Sequence, residues 1–188
     1  MEGYVNFKKD PWDIYYELME ILDNSYILSN RNRTNVTGVS HINYRKSPIT
    51  NDKQKKYEKV GFPIQSQNFG IVKIRNESGD KRYIPSKNNT RHPDLYQKLK
   101  ELIEMIDPDF EYTTITLNKN VLCKPHYDAN NKSPSIIIAL GEFTGGHLNV
   151  ENEKYDILMR PLKFNGSKLK HWTMPFEGDR YSFIYYKN

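Results

Sequence analysis

At Pro108 the hydrophobic pattern of this chain changes period, and that change limits the folds open to it. Before it, Leu95, Leu99, Leu102, Ile103 and Ile106 recur on one helical face, from about Pro93 to Asp107-Pro108. After it come short segments of period two: Tyr112–Leu117, Ser135–Leu140, His147–Val150, Tyr155–Met159, Lys168–Trp172 and Tyr181–Tyr186. Gly, Asn and Pro punctuate them. Alternate side chains of a strand point to opposite faces, so each segment can bury one face. Short strands at near-regular spacing predict a sandwich or barrel. The expected class is α+β, mainly β: two helices and a basic region packed on an eight-stranded C-terminal core.

The N-terminal half supplies the support. Asp10 and Pro11 suit the N-cap and first position of a helix. Ile14, Tyr15, Leu18, Ile21 and Leu22 then share a face, and the helix should end near Asp23-Asn24-Ser25. Residues 29–68 are polar and read as a long loop region with at most short strands. Gly70–Arg75 reads as a strand, Asn76–Asp80 as a turn and Arg82–Pro85 as the returning strand. At 188 residues the chain is expected to form one domain, with residues 1–109 as helical and loop support and 110–188 as the β core.

The net charge of +5 lies wholly in residues 1–94, which carry 16 Lys and Arg against 11 Asp and Glu; residues 95–188 carry 12 of each. Residues 28–60 hold eight basic side chains and two acidic ones. Such an excess either steers a polyanion, DNA or RNA, or is a solvated surface. There is no run of about 18 apolar residues and no apolar stretch at the N-terminus, so neither a membrane span nor a secretory leader is expected. A lone cysteine, Cys123, fits a reducing, intracellular compartment, cytoplasmic or nuclear, and reads as buried filler.

His126-Tyr127-Asp128 carries the chemistry. Positions i and i+2 of a strand share a face, so His126 and Asp128 point together. His171, returning from a distant strand, would complete a two-histidine, one-carboxylate set, which leaves metal positions open and suits Fe(II) with dioxygen. Arg180 opens the apolar strand 181–186, where its guanidinium can grip a carboxylate with two parallel hydrogen bonds. His147 reads as a strand residue rather than a ligand, and Trp172 should point away from His171 and pack. Gly145-Gly146 reads as a hairpin turn.

Together, His126-x-Asp128, His171 and Arg180-x-Ser182 resemble the iron- and 2-oxoglutarate-dependent dioxygenases. The stretches Thr114–Asn120, Ala139–Leu148 and His171–Ser182 resemble the same superfamily, over roughly residues 110–188. Its flavour is similar to the branch of giant viruses and protists and, loosely, to the TET/JBP nucleic-acid-base dioxygenases. The resemblance implies a double-stranded β-helix, or jelly roll. It implies Fe(II) on His126, Asp128 and His171, with 2-oxoglutarate and O2 as co-substrates. Arg180 would then pair with the distal carboxylate of 2-oxoglutarate and Ser182 would add a hydroxyl, helped by Asn118 or by Thr114 and Thr116. Asn131, with Asn130, would touch the substrate, although both asparagines also fit a plain turn. The implied reaction couples decarboxylation of 2-oxoglutarate to succinate with hydroxylation or oxidative demethylation, with a nucleic-acid base as substrate. A protein or peptide hydroxylase of prolyl or lysyl type, and a non-catalytic jelly-roll module, are the competing readings.

Overall fold

A computed structural model describes residues 2–27, 37, 64–76 and 78–188. The basic segment 28–60 therefore lies outside the described residues, Thr37 apart, as does most of the expected loop 29–68. Among the described residues, no helix is long and apolar enough to cross a membrane.

Among the described residues, ten strands form two sheets. In chain order they are β1 (Gly3–Tyr4), β2 (Gln65–Arg75), β3 (Lys81–Pro85), β4 (Thr114–Lys119), β5 (Ser135–Gly145), β6 (Leu148–Val150), β7 (Glu153–Tyr155), β8 (Leu162–Phe164), β9 (His171–Thr173) and β10 (Phe176–Tyr186). The large sheet has the order β1-β8-β5-β10-β4-β2-β3 and the small one β7-β6-β9. All the strand pairings within them are antiparallel. The two sheets make the β-rich jelly roll that the sequence implies. Seven strands come from residues 114–186, while β1, β2 and β3 add N-terminal chain to the large sheet. The 65–68 part of the expected loop is strand, because β2 begins at Gln65 and pairs with β4 through Gln65↔Lys119 to Gly70↔Thr114. Strand β8 was not expected; its three residues are too few to show a period.

Alternation along β5 and β10 separates two cores. Ile136, Ile138, Leu140, Tyr181, Phe183 and Tyr185 face the helices. Ile137 and Ala139 face the small sheet with Leu148, Val150, Leu162 and Phe164. Helix α1 (Trp12–Asp23) buries Ile14, Leu18 and Leu22. A short turn of helix, α2 (Asn88–Arg91), leads into α3 (Pro93–Ile106), which buries Leu95, Leu99, Leu102, Ile103 and Ile106. Proline takes the first turn of α3, where its missing N–H costs nothing. The Tyr185 hydroxyl donates to Leu99 O at 2.8 Å and pins β10 to α3. One face of the large sheet is thereby sealed, and the other is left for the site.

Candidate active site

The inner face of β10 carries Arg180, Ser182, Ile184 and Tyr186, a period-two row. On that face, Ser66 of β2, Asn118 of β4 and Ser182 of β10 stand directly opposite one another across three strands. All three are buried. A polar row in the middle of a buried sheet face departs from the apolar rule for interiors and marks a place where a polar ligand is expected.

Facing this row, a backbone bridge sets the histidines side by side. His126 N donates to His171 O, and His171 N donates to His126 O, each at 3.0 Å. Paired residues of an antiparallel bridge project to the same side, and the two rings stand 4.3 Å apart between centroids. Asp128 is held next to them because its N–H donates to Gly166 O at 2.8 Å. Its Oδ1 lies 3.6 Å from His126 Nε2 and its Oδ2 lies 3.4 Å from His171 Nε2. The ligand atoms of all three residues fall within 4.8 Å of one another. Ligands about 2.0–2.2 Å from one ion stand roughly 3 Å apart at right angles, so this set needs little adjustment to close on a metal.

The outer nitrogens fix the rings. His126 Nδ1 lies 2.7 Å from Lys124 O, and His171 Nδ1 lies 3.0 Å from Leu169 O. A carbonyl only accepts, so each Nδ1 carries the proton and each Nε2 presents its lone pair toward Asp128. Gly166 completes the fit. A Cβ there would stand 3.1 Å from Asp128 Oδ2 and 3.2 Å from His171 Cε1, so the absence of a side chain keeps the carboxylate and imidazole in place.

Arg180 is the other pole. It is only 2% exposed, yet its Nε and Nη2 have no hydrogen-bond partner. The guanidinium carbon lies 5.5 Å from the centroid of Phe143 and 5.6 Å from that of Phe176. Its backbone N–H donates to Asn120 Oδ1 at 2.7 Å. Burial pulls the guanidinium down from its ordinary value to about 10, with Cys123 opposing the shift; it remains charged at neutral pH. Asn118 Oδ1 is likewise buried without a partner, while Asn118 Nδ2 lies 3.5 Å from Ser182 Oγ. A buried donor set left open on a charged group costs more than about 1–3 kcal/mol unless something fills it.

One cavity of about 380 Å³ gathers Thr116, Asn118, His126, Asp128, Asn130, Asn131, His171, Arg180 and Ser182, the site residues singled out in the sequence apart from Thr114. Within it Thr116 Oγ1 donates to Asn68 Oδ1 at 2.8 Å and lies 3.3 Å from the Tyr186 hydroxyl. Asn131 Nδ2 donates to Ser135 Oγ at 3.1 Å, and Asn130 Oδ1 accepts from Lys73 Nζ at 3.4 Å. The Asn131 N–H also donates to Asp128 O at 2.9 Å, so the expected turn is present as well. Thr114, by contrast, is tied to Ile71 O at 2.5 Å and does not line the cavity. His147 does not line it either.

Sequence reasoning missed several lining residues, Tyr186, Cys123 and Trp172 among them. Tyr186 was legible from the period-two row that runs back through Ser182 to Arg180. Cys123, read as filler, is half-buried and borders the cavity. Trp172, expected to pack on the far side, borders it too, because β9 is three residues long and lies at the cavity wall.

No protein-family model matches this chain, and no curated protein does. Solved structures do. NgTET1 in complex with 5mC DNA superposes with a TM-score of 0.51 at 19% identity, over 73% of this chain and 66% of that one. The chain thus spans just under two thirds of the NgTET1 chain. OsALKBH1 superposes with a TM-score of 0.50 at 12% identity, over 100% of this chain and 96% of that one. A 2OG-Fe(II) oxygenase family oxidoreductase from Burkholderia pseudomallei gives 0.41 at 14% identity, over 72% of this chain and 77% of that one. The chain has the fold of NgTET1 and OsALKBH1, the jelly roll that its resemblance to the iron- and 2-oxoglutarate-dependent dioxygenases implies.

Proposed function

We propose that the protein is an Fe(II)- and 2-oxoglutarate-dependent dioxygenase that hydroxylates or oxidatively demethylates a nucleic-acid base. One observation carries this reading: a buried guanidinium with two unpartnered nitrogens shares its cavity with an open His–Asp–His set. A non-catalytic module has no use for either, and both are costly to maintain.

His126, Asp128 and His171 would hold the iron. When bound, iron and 2-oxoglutarate supply oxidative decarboxylation to succinate and insertion of oxygen into the substrate. Arg180 takes the distal carboxylate of 2-oxoglutarate, and its charge-assisted bonds replace water lost on burial. Ser182, Asn118 and Thr116 orient the same molecule from the sheet. Phe143 and Phe176 keep bulk water from the guanidinium. Asn130 and Asn131 stand beyond Asp128, where an amide can meet both donors and acceptors on a base edge. The nucleic-acid choice is supported by the 5mC DNA bound to NgTET1 and by the cationic composition of residues 28–60.

The test is succinate formation from 2-oxoglutarate with DNA, RNA or prolyl and lysyl peptides present. The reading predicts stimulation by a polynucleotide that weakens steeply with salt. Stimulation by peptides alone would move the assignment to a peptide hydroxylase.

A further inference from the structure

Charge in the cavity selects between substrates. Among the described residues that line it, Asp128 is the one acidic side chain, and it belongs to the metal set. The cation there is Arg180, since the two metal-set histidines present neutral lone pairs from Nε2. The remaining polar lining is neutral: Thr116, Asn118, Asn130, Asn131, Ser182 and Tyr186 among it. Lys73 adds a positive charge at Asn130, 3.4 Å from its Oδ1. With 2-oxoglutarate in place, Asp128 and the two carboxylates of the co-substrate are already matched by Fe(II) and Arg180. Among the described lining residues, no anionic side chain is left over for a cationic group entering the cavity.

We infer that the group this enzyme oxidises is uncharged, with hydrogen-bonding edges read by the neutral amides, and is carried on an anionic chain. This rests on the dioxygenase reading above and narrows it. A neutral methylated base fits. A base made cationic by methylation on a ring nitrogen does not, nor does a lysine ammonium: each would be desolvated without a partner and placed beside Lys73. The anionic carrier is matched by Lys73 of β2, bonded to the lining residue Asn130, and by Lys132, next in sequence to the lining residue Asn131. Lys132 Nζ lies 5.6 Å from the ring centroid of Tyr83, which is 48% exposed and open to stacking.

The experiment compares two methylcytosines that differ in charge. Single-stranded oligonucleotides of one sequence, carrying one 5-methylcytosine (neutral) or one 3-methylcytosine (cationic at pH 7), are titrated anaerobically into the protein loaded with Fe(II) and 2-oxoglutarate, and affinity is read by fluorescence anisotropy. The neutral oligonucleotide should bind at least about tenfold tighter. Asn131→Asp, which keeps a partner in the Ser135 hydroxyl, should shift the ratio about tenfold toward the cation. Equal binding, or preference for the cation in the unchanged protein, overturns the inference. If neither methyl group adds affinity over the unmodified strand while 2-oxoglutarate still binds, the base reading itself fails. A prolyl against a lysyl peptide then makes the same comparison, and preference for lysyl overturns the charge argument.

Discussion

Replacing Arg180 by methionine should make the apo-protein more stable while disabling its site. Two guanidinium nitrogens are buried without partners in a residue 2% exposed. Leaving such groups unpaired costs about 1–3 kcal/mol each. Contact with the rings of Phe143 and Phe176 returns part of this, about 0.5–2 kcal/mol. An apolar side chain of similar length keeps the packing against those rings and removes the unpaired charge, so Arg180→Met should gain about 1–3 kcal/mol. For a chain of this size that is a rise in Tm of roughly 2–12 °C. On the proposed function, the same change would remove two charge-assisted hydrogen bonds to 2-oxoglutarate, worth about 1.5–3 kcal/mol each, so affinity should fall roughly 10²–10⁴-fold. Thermal unfolding of the apo-protein and anaerobic titration of the Fe(II) form with 2-oxoglutarate read the two effects separately. A lower Tm together with unchanged co-substrate affinity would refute the reasoning, because Arg180 would then be a structural cation satisfied by its own surroundings.

Three further outcomes follow from particular contacts. Gly166→Ala places a methyl group 3.1 Å from Asp128 Oδ2 and 3.2 Å from His171 Cε1, so Fe(II) affinity should fall about tenfold, as for disturbed supporting residues, with the far-ultraviolet circular dichroism unchanged. Gly141→Ala should be far more damaging. Its φ is +117° and a Cβ would stand 2.2 Å from Asp179 O, inside the pairing of β5 with β10, so a loss of more than about 3 kcal/mol is expected in urea unfolding. Tyr185→Phe removes the buried bond to Leu99 O and should cost about 0.5–1.5 kcal/mol without altering metal or 2-oxoglutarate binding.

Much of this molecule was legible because its strongest signals are periodic. The helix from Pro93 to Ile106 ends where Asp107-Pro108 stops it, and its five expected core residues are all buried. Leu162–Phe164 and Gly3–Tyr4, three and two residues long, carry no period and were not expected. Three long strands, β2, β5 and β10, were underestimated. Strand β10 starts at Phe176 rather than Tyr181, because Gly178, at φ +100°, lets the chain pass Glu142 O where a Cβ would be 2.2 Å away. The period-two argument then ran out at a glycine, although the strand did not.

The candidate site's residues were legible as a set that the structure brings to one cavity, but their support was not. Histidine and aspartate at i and i+2 predict a shared face, and the backbone bridge between His126 and His171 supplies the rest. Nothing in the sequence indicates that Lys124 O and Leu169 O orient the two rings, since backbone carbonyls have no sequence signature. Gly166 likewise reads as loop until its place beside Asp128 is known.

The most direct test of the central claim is an anaerobic titration of the apo-protein with Fe(II) and then 2-oxoglutarate, followed by visible absorption. The account predicts a charge-transfer band of chelated 2-oxoglutarate that is absent in His126→Ala and that needs far more co-substrate in Arg180→Met. No band in the unchanged protein, or a band that survives loss of His126, would contradict it.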